Sequence, residues 1–140
     1  MIILDTNVIS EVVRPRPDQT VLKWFELSDP ALLHLTDVTV MELEFGAERY
    51  LIKHASRRYH QFVTDLVESR FRERILALDR NTLAAAGRIR ARREMNGRMI
   101  SVQDAMIAAI CLRHGATLAT RNTKDFEGLD LTLVNPFEGA

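Results

Sequence analysis

Three acidic residues stand where a buried segment gives way to a helical one. Asp5 directly follows the apolar run MIIL, whereas Glu42 and Asp104 each lie three residues after a hydroxyl residue, Thr39 and Ser101. Carboxylates at such positions face the loop edge of an α/β sheet, where folds of this class bind ligands. Asp5, Glu42 and Asp104 are therefore candidates for a catalytic acidic cluster.

Each of these acids also has a purely structural explanation. Asp5 can cap the helix that follows it. Glu42 and Asp104 occupy the third helical position of a possible capping box. The apolar run Ala105–Ile110 after Asp104 indicates a deeply packed helix, whose first turn would face the sheet edge rather than open solvent. A capping role and a metal role are compatible, so both explanations stay open.

A converged acidic cluster requires a cation. Two carboxylates ~4 Å apart repel by about 4 kcal/mol at an effective dielectric constant of 20. Three of them would raise their own pKa values or push the site apart. Carboxylate oxygens without histidine or cysteine ligands favour Mg²⁺ or Mn²⁺ over zinc. A divalent ion held in this way can activate water and stabilise the charge of an in-line phosphodiester displacement, so the type of site and this class of reaction agree.

Histidine and cysteine add nothing to this set. The histidines lack metal-ligand spacing; they are His34, His54, His60 and His114. The single cysteine, Cys111, lies within an apolar helix and is predicted to pack in the core. One cysteine excludes an intrachain disulfide and fits a reducing cytoplasm. Trp24 and Phe25 are also predicted to pack.

The elements that must position the acids alternate along the chain. Strands are predicted at residues 1–5, 31–35, 74–78, 116–120 and 131–134. Helices are predicted at residues 6–13, from Asp18 through Phe25, from Thr39 to Leu51, and at 55–71, 80–95 and 101–114. This alternation indicates an α/β fold with a largely parallel sheet and helices on both faces. The length predicts one domain over residues 1–140.

Composition and charge exclude several classes of protein. The chain is 46% hydrophobic and 27% charged, as in ordinary soluble proteins. No apolar run approaches the ~20 residues of a membrane span, and the N-terminal segment lacks the features of a secretory signal. We therefore expect no membrane association and a cytoplasmic location.

The formal net charge is zero, but the charge is unevenly distributed. Residues 1–50 carry 4 basic and 9 acidic side chains, whereas residues 80–99 carry 6 arginines against Glu94 alone. The arginines at the centre of the basic segment are most simply interpreted as a solvent-exposed helix face, although some of them could contact RNA phosphates. They are Arg88, Arg90, Arg92 and Arg93.

Four segments resemble the PIN-domain nucleases, and more narrowly the VapC-like and FitB-like toxins of toxin–antitoxin modules. In chain order they read MIILDTNVISE, TVMELEFG, SVQDAMIAAICLRHG and ATLATRNTKDF. Together they extend over nearly the whole chain. The resemblance implies a PIN-like three-layer α/β/α sandwich with a central, mostly parallel sheet. It also implies an acidic pocket that binds Mg²⁺ or Mn²⁺ and cleaves RNA.

The resemblance assigns expected roles to individual residues. Asp5, Glu42 and Asp104 match the metal-site acids, with Asp5 and Asp104 as principal ligands. Glu42 would be a further ligand or would orient the attacking water. Thr6 and Asn7 match the polar pair that orients the first acid.

One position departs from the family pattern. Asn122 stands where many relatives carry a fourth acid, which favours one strong metal site over two. Asp125, three residues later, is a candidate for a contribution through water. Thr120 and Arg121 are candidates for polar support and phosphate contact, respectively.

The resemblance also implies partners. A cognate antitoxin would insert a segment into the acidic pocket, with an arginine as the expected blocking group. Operator DNA would be contacted only through that antitoxin. A homodimer is likewise expected from the family. The RNA target and the cleavage sequence do not follow from these residues.

Two other classes of function compete with a nuclease. Phosphatases of the haloacid-dehalogenase type also begin with an apolar strand that leads into D-x-D-x-[TV]. Here Asn7 replaces their second acid, and no adjacent pair of aspartates appears late in the chain. The second alternative is a degenerate domain that binds RNA or a protein partner without cleavage, in keeping with Asn122.

Overall fold

The computed structural model describes residues 1–138, which form a five-stranded sheet with helices on both faces. The strands are β1 (Ile2–Leu4), β2 (Leu33–Thr36), β3 (Ile75–Leu76), β4 (Thr117–Ala119) and β5 (Thr132–Val134). Their order is β3-β2-β1-β4-β5, and every pairing is parallel. The predicted three-layer α/β/α sandwich is confirmed, with a sheet that is parallel throughout these residues.

Six α-helices connect the strands in the described part of the chain. They are α1 (Thr6–Val12), α2 (Gln19–Leu27), α3 (Asp37–His54), α4 (Arg58–Asp65), α5 (Arg80–Met95) and α6 (Val102–His114). Short 3₁₀ turns cover Pro30–Leu32 and Thr123–Phe126, and a π-helical turn, Leu66–Arg70, continues α4. Within residues 1–138, none of the helices is both long and apolar enough to cross a membrane.

Neighbouring residues of the central strands point into two separate cores. Ile3 packs with residues of α5 and α6, whereas Leu4 packs with residues of α1, α3 and α4. In the adjacent strand β4, Leu118 and Ala119 divide in the same way. Side chains alternate between the faces of a strand, and both faces of this sheet are covered. This arrangement explains why the first strand reads as a continuous apolar run.

Helix α3 begins two residues earlier than predicted, at Asp37 and not at Thr39. Thr36, the last residue of β2, is its N-cap, and the Thr36 hydroxyl accepts a hydrogen bond from the Thr39 backbone N at 3.1 Å. The prediction of a start at Thr39 was therefore wrong, as was the capping-box position given to Glu42, which lies in the second turn. Strand and helix meet without an intervening glycine or proline, so the usual sequence marker of a boundary is missing.

The predicted helix over residues 55–71 begins three residues later than predicted and is not a regular α-helix to its end. Ala55 adopts a left-handed conformation with φ 52° and ends α3. Helix α4 starts only at Arg58, and its final turn widens into the π-helical turn Leu66–Arg70. Non-glycine residues rarely adopt positive φ, so the sequence does not reveal such a stop.

The topology places one edge of the sheet at a switch point. β1 has β2 on one side and β4 on the other, so the chain direction of the connections reverses at β1. Asp5 follows β1 immediately, and Thr120 follows β4 immediately. Open parallel sheets bind ligands in the crevice at the carboxyl ends of such strands.

Candidate metal centre

Asp5 is a buried acid whose two carboxylate oxygens both accept hydrogen bonds. Its Oδ1 accepts from the Thr6 backbone N at 2.8 Å, which caps α1. Its Oδ2 accepts from the Thr120 hydroxyl at 2.8 Å and from Asn7 Nδ2 at 3.3 Å. The side chain therefore has the predicted capping role, and the residue lies at the switch point, directly after β1.

The environment of Asp5 acts on its ionisation in two directions. Burial raises the pKa of the Asp5 carboxyl above its usual value, and the negative charge of Glu42 adds to this effect. The hydrogen bonds from Thr120, Thr6 and Asn7 act the other way, because they favour the ionised form. The net shift is upward, because burial outweighs these hydrogen bonds.

Asp104 lies in the first turn of α6 and belongs to the same electrostatic environment. The Ser101 hydroxyl accepts a hydrogen bond from the Asp104 backbone N at 3.1 Å, so Ser101 is the N-cap and the predicted capping relation is confirmed. Burial, followed by the charges of Asp5 and Asp125, raises the pKa of Asp104 to about 6, although the Ser101 hydroxyl opposes this rise. The field of Asp5 therefore reaches Asp104.

Glu42 is connected to the first acid through a threonine. The Thr6 hydroxyl donates to Glu42 Oε1 at 2.8 Å, while the Thr6 backbone N binds Asp5. Behind this contact lie Thr36 and Thr39, both fully buried, with their hydroxyl oxygens 3.4 Å apart. Sequence reasoning did not identify these two threonines as part of the site. The signal was available, since polar residues directly after an apolar strand require buried partners.

The loop after β4 completes the polar surroundings of Asp5. Thr120 is fully buried, and its hydroxyl also accepts from the Asn122 backbone N at 3.1 Å. The Arg121 backbone N donates to Asn7 Oδ1 at 3.2 Å. Asn122 is exposed, and its side chain does not cap the turn that follows. Asp125 is exposed, and its charge reaches Asp104.

The acids are grouped around Asp5 without forming a compact triad. Within residues 1–138, no three side chains of Asp, Glu, His or Cys lie close enough together to hold one metal ion. The expected tight convergence of Asp5, Glu42 and Asp104 is therefore not seen. The donor chemistry nevertheless fits Mg²⁺ or Mn²⁺, because Mg²⁺ usually binds one or two carboxylates and keeps several waters. Asp5 and Asp104 are two carboxylates at this edge of the sheet, and the charge of Asp5 contributes to the raised pKa of Asp104.

A cavity of about 410 Å³ opens beside Asn7 and Glu42. Its walls come from α1, α3 and α4 and include Leu43 and Phe62, with Arg121 completing the lining. Glu11, another lining residue, is a buried acid that sequence reasoning missed. It accepts hydrogen bonds from the Asp18 backbone N at 2.9 Å and from Arg14 at 3.1 Å, and so anchors the loop between α1 and α2.

The arginines of α5 do not form one uniform face. Arg88, Arg90 and Arg92 are exposed, as the solvated-face interpretation predicted. For Arg93 that interpretation was wrong, because the side chain is buried and its Nη2 donates to the Asp125 carbonyl oxygen. A guanidinium on a helix with no clear hydrophobic periodicity gives no sequence signal for burial. Arg93 ties α5 to the turn that carries Asp125.

The remaining expectations for packing are confirmed. Cys111 is fully buried, and burial raises the pKa of its thiol. Trp24 and Phe25 pack against the core on the α1 side of the sheet. His60 lies between Glu44 and Glu48, with its ring nitrogens 3.3 and 3.1 Å from their carboxylate oxygens.

Comparisons with known proteins identify relatives of about one-third sequence identity over nearly the full length. The PIN domain model matches residues 2–130. Toxin FitB of Neisseria gonorrhoeae is 34% identical over 137 residues, which are 98% of this chain and 99% of that protein. VapC ribonuclease Y4jK of Sinorhizobium fredii is 34% identical over 140 residues, all of both chains. A solved structure of FitAB bound to an IR36 DNA fragment superposes with a TM-score of 0.86 at 33% identity, covering 98% of this chain and 96% of that one.

Proposed function

This chain belongs to the PIN-domain family, and from that premise we propose that it is a metal-dependent endoribonuclease and the toxin of a toxin–antitoxin module. The observation that carries the proposal is the pair of carboxyls at the switch point. Asp5 and Asp104 both have raised pKa values, and the charge of Asp5 contributes to the rise at Asp104. A divalent cation between desolvated acids would remove this repulsion.

The residues around the proposed site have separate tasks. Asp5 and Asp104 would hold the ion, and Glu42 would complete the acidic set as a ligand or as the group that orients the attacking water. When bound, Mg²⁺ or Mn²⁺ would supply activation of water and neutralisation of charge on the phosphodiester. Asn122 offers a carbonyl oxygen without charge, so we propose one strong metal site. Asp125 would contribute through water.

The hydrogen bonds to Asp5 keep the first ligand ready to bind a cation. The Thr120 hydroxyl, the Thr6 backbone N and Asn7 all donate to this carboxylate. Each donor favours the ionised form, which is the form that binds a cation. Thr6 also fixes Glu42 through its hydroxyl at 2.8 Å, so one residue sets the positions of two acids.

The proposal is tested by cleavage of an end-labelled, mixed-sequence RNA with purified protein, in excess Mg²⁺ or Mn²⁺ and in EDTA. Asp5→Ala and Asp104→Ala are expected to abolish cleavage while the protein remains folded by circular dichroism. The matched control is Asp65→Ala, because Asp65 is an exposed aspartate at the end of α4. Its cleavage rate should equal that of the unaltered protein.

Two results would count against the proposed metal-dependent active site. Full cleavage by folded Asp104→Ala protein would remove Asp104 from the site. Cleavage that persists unchanged in EDTA would remove the metal requirement. Either result would also raise the question of a contaminating nuclease, which Asp5→Ala prepared in parallel detects.

Partners follow from the same proposal. The cavity beside Asn7 and Glu42 has apolar walls and an acidic end, which suits an inserted antitoxin segment with an arginine at its tip. Contact with operator DNA would then occur only through the antitoxin, and a homodimer would be the unit that it binds. We also propose that the reaction takes place in the cytoplasm, where an RNA substrate is available.

A binding module without catalysis is the second candidate. It is favoured by the absence, within residues 1–138, of a compact three-acid cluster, and by the uncharged Asn122. Folded, antitoxin-free protein that binds the RNA but does not cut it in either metal would support this candidate. Restoration of cutting by Asn122→Asp would then identify the missing charge as the cause.

A further inference from the structure

Arg121 presents a positive charge at the edge of an acidic region. Its side chain is exposed and lines the same cavity as Asn7 and Glu42. Among residues 1–138 the guanidinium takes part in no ion pair with a carboxylate. An RNA strand that approaches Asp5 and Glu42 meets negative charge, so a cation beside them offsets the repulsion of its phosphates.

The guanidinium of Arg121 stacks on the aromatic ring of Phe137. The Cζ atom of Arg121 lies 4.7 Å from the centroid of the Phe137 ring, which is the distance of a cation–π contact. Phe137 itself packs against the core on the α1 side of the sheet, so its ring has a fixed support. Stacking of this kind removes freedom from a long, exposed side chain before any ligand is present.

The backbone of Arg121 is fixed from two sides. Its N donates to Asn7 Oδ1 at 3.2 Å, and its carbonyl oxygen accepts from Asn135 Nδ2 at 3.3 Å. Asn135 also shapes the turn after β5, because its Oδ1 accepts from the Phe137 backbone N at 2.9 Å. The same turn therefore holds the main chain of Arg121 through Asn135 and its side chain through Phe137.

We propose that Phe137 is a positioning residue for RNA binding, which pre-organises Arg121 to contact a backbone phosphate at the entrance of the acidic site. This inference rests on the proposed ribonuclease function. Arg suits the task because its planar fork binds phosphate oxygens bidentately and stacks on an aromatic face at the same time. Phe137 acts only through Arg121 and does not touch the reacting atoms.

The test is a double-mutant cycle of Phe137→Leu, Arg121→Ala and the two combined. The dissociation constant for a short fluorescein-labelled single-stranded RNA is measured by anisotropy in EDTA, and KM and kcat are measured in Mg²⁺. Phe137→Leu should raise both the dissociation constant and KM by roughly three- to tenfold, with kcat unchanged. Arg121→Ala should raise them at least as much. The double variant should be no worse than Arg121→Ala, because Phe137 has no other route to the RNA.

Two further variants separate positioning from folding. Phe137→Trp keeps an aromatic face under Arg121, so this variant should bind the RNA as tightly as the unaltered protein does. Phe45→Leu is the matched control, since Phe45 is exposed on α3 and also lies under an arginine, with Arg49 Cζ 5.4 Å from its ring. It should leave RNA binding unchanged. Thermal unfolding of each variant establishes that it is folded at the assay temperature.

The outcomes for the two proposals are distinct. Unchanged binding in folded Phe137→Leu, or losses that add in the double variant, would overturn the role of Phe137 and leave the ribonuclease intact. An unaltered protein that neither binds nor cuts the RNA would overturn the ribonuclease and the role of Phe137 with it.

Discussion

The carboxylate side chains at the switch point repel one another, and a bound cation would reduce this repulsion. Asp104 is half-buried, and burial together with the charges of Asp5 and Asp125 raises its pKa from 3.8 to about 6. A carboxyl with a raised pKa in the folded state binds its proton more tightly there than in the unfolded chain. Its contribution to stability is complete below pH 3.8 and is lost as the pH rises through about 6.

Replacement of Asp104 by Asn should therefore stabilise the metal-free protein near neutral pH. We expect a gain of about 1 kcal/mol in the free energy of unfolding at pH 7, after allowance for the partial exposure of the carboxyl. The measurement is urea unfolding in EDTA between pH 4 and pH 8. The difference between Asp104→Asn and the unaltered protein should shrink as the pH falls towards 4. A difference that does not depend on pH would contradict this account.

The sequence predicted which polar residues lie near Asp5 better than it predicted how the acids are arranged. Thr6 and Asn7 bind Asp5, Thr6 also binds Glu42, and the charge of Asp5 reaches Asp104. The role of the three acids in catalysis stays a prediction. The buried hydroxyls of Thr36 and Thr39 and the buried charges of Glu11 and Arg93 were missed. Their burial depends on partners far away in sequence, such as the Asp125 carbonyl oxygen for Arg93, and local patterns do not specify such partners.

Secondary-structure elements carry the acids, and the start of α3 determines where Glu42 lies. The Thr36 hydroxyl caps this helix and is fully buried. Thr36→Val keeps the volume and removes the hydroxyl, which leaves the Thr39 backbone N without its acceptor. We expect a loss of about 1 kcal/mol in the free energy of unfolding, measured in urea.

Thr39→Val is the matched comparison. The Thr39 hydroxyl makes only 3.4 Å contacts, with Thr36 and Thr6, so its removal should cost less. The helix start predicted from the sequence, at Thr39, would give the opposite order. A larger loss of unfolding free energy in Thr39→Val than in Thr36→Val would therefore favour the helix start at Thr39.

The number, type and order of the elements followed from periodicity, but several boundaries did not. Apolar runs separated by turn residues marked all five strands of the described sheet. The errors lie at the junction of β2 with α3, at Ala55 and at the π-helical turn after α4. At each of these places the chain changes conformation without a residue that signals the change.

At the scale of the whole molecule, the proposed metal should act as a stabilising ligand. At pH 7 a concentration 100 times the dissociation constant adds about 2.7 kcal/mol to the free energy of unfolding. For a chain of this length that corresponds to a rise of roughly 8–10 °C in Tm. The measurement is thermal unfolding with increasing Mg²⁺ or Mn²⁺, followed by addition of EDTA, which should reverse the rise.

The Asp5→Asn variant should show only a small part of this increase in Tm, because the substitution removes a proposed ligand. Asp65→Asn, with the same change of charge at an exposed site, should keep it. An equal rise in all three proteins would mean that the ions act on general surface charge, and the site at the switch point would lose its thermodynamic support.

The position of β1 has a consequence for synthesis of the protein. Of the five described strands β1 is made first, yet it is the central strand, and it pairs with β4 on one side. Thr120 reaches Asp5 only after β4 has joined the sheet, and Asp104 lies in the helix just before it. A nascent chain on the ribosome therefore carries its first acid long before the centre around it exists. Under the proposed function, the chain acquires its cleaving site only once β4 has emerged from the ribosome.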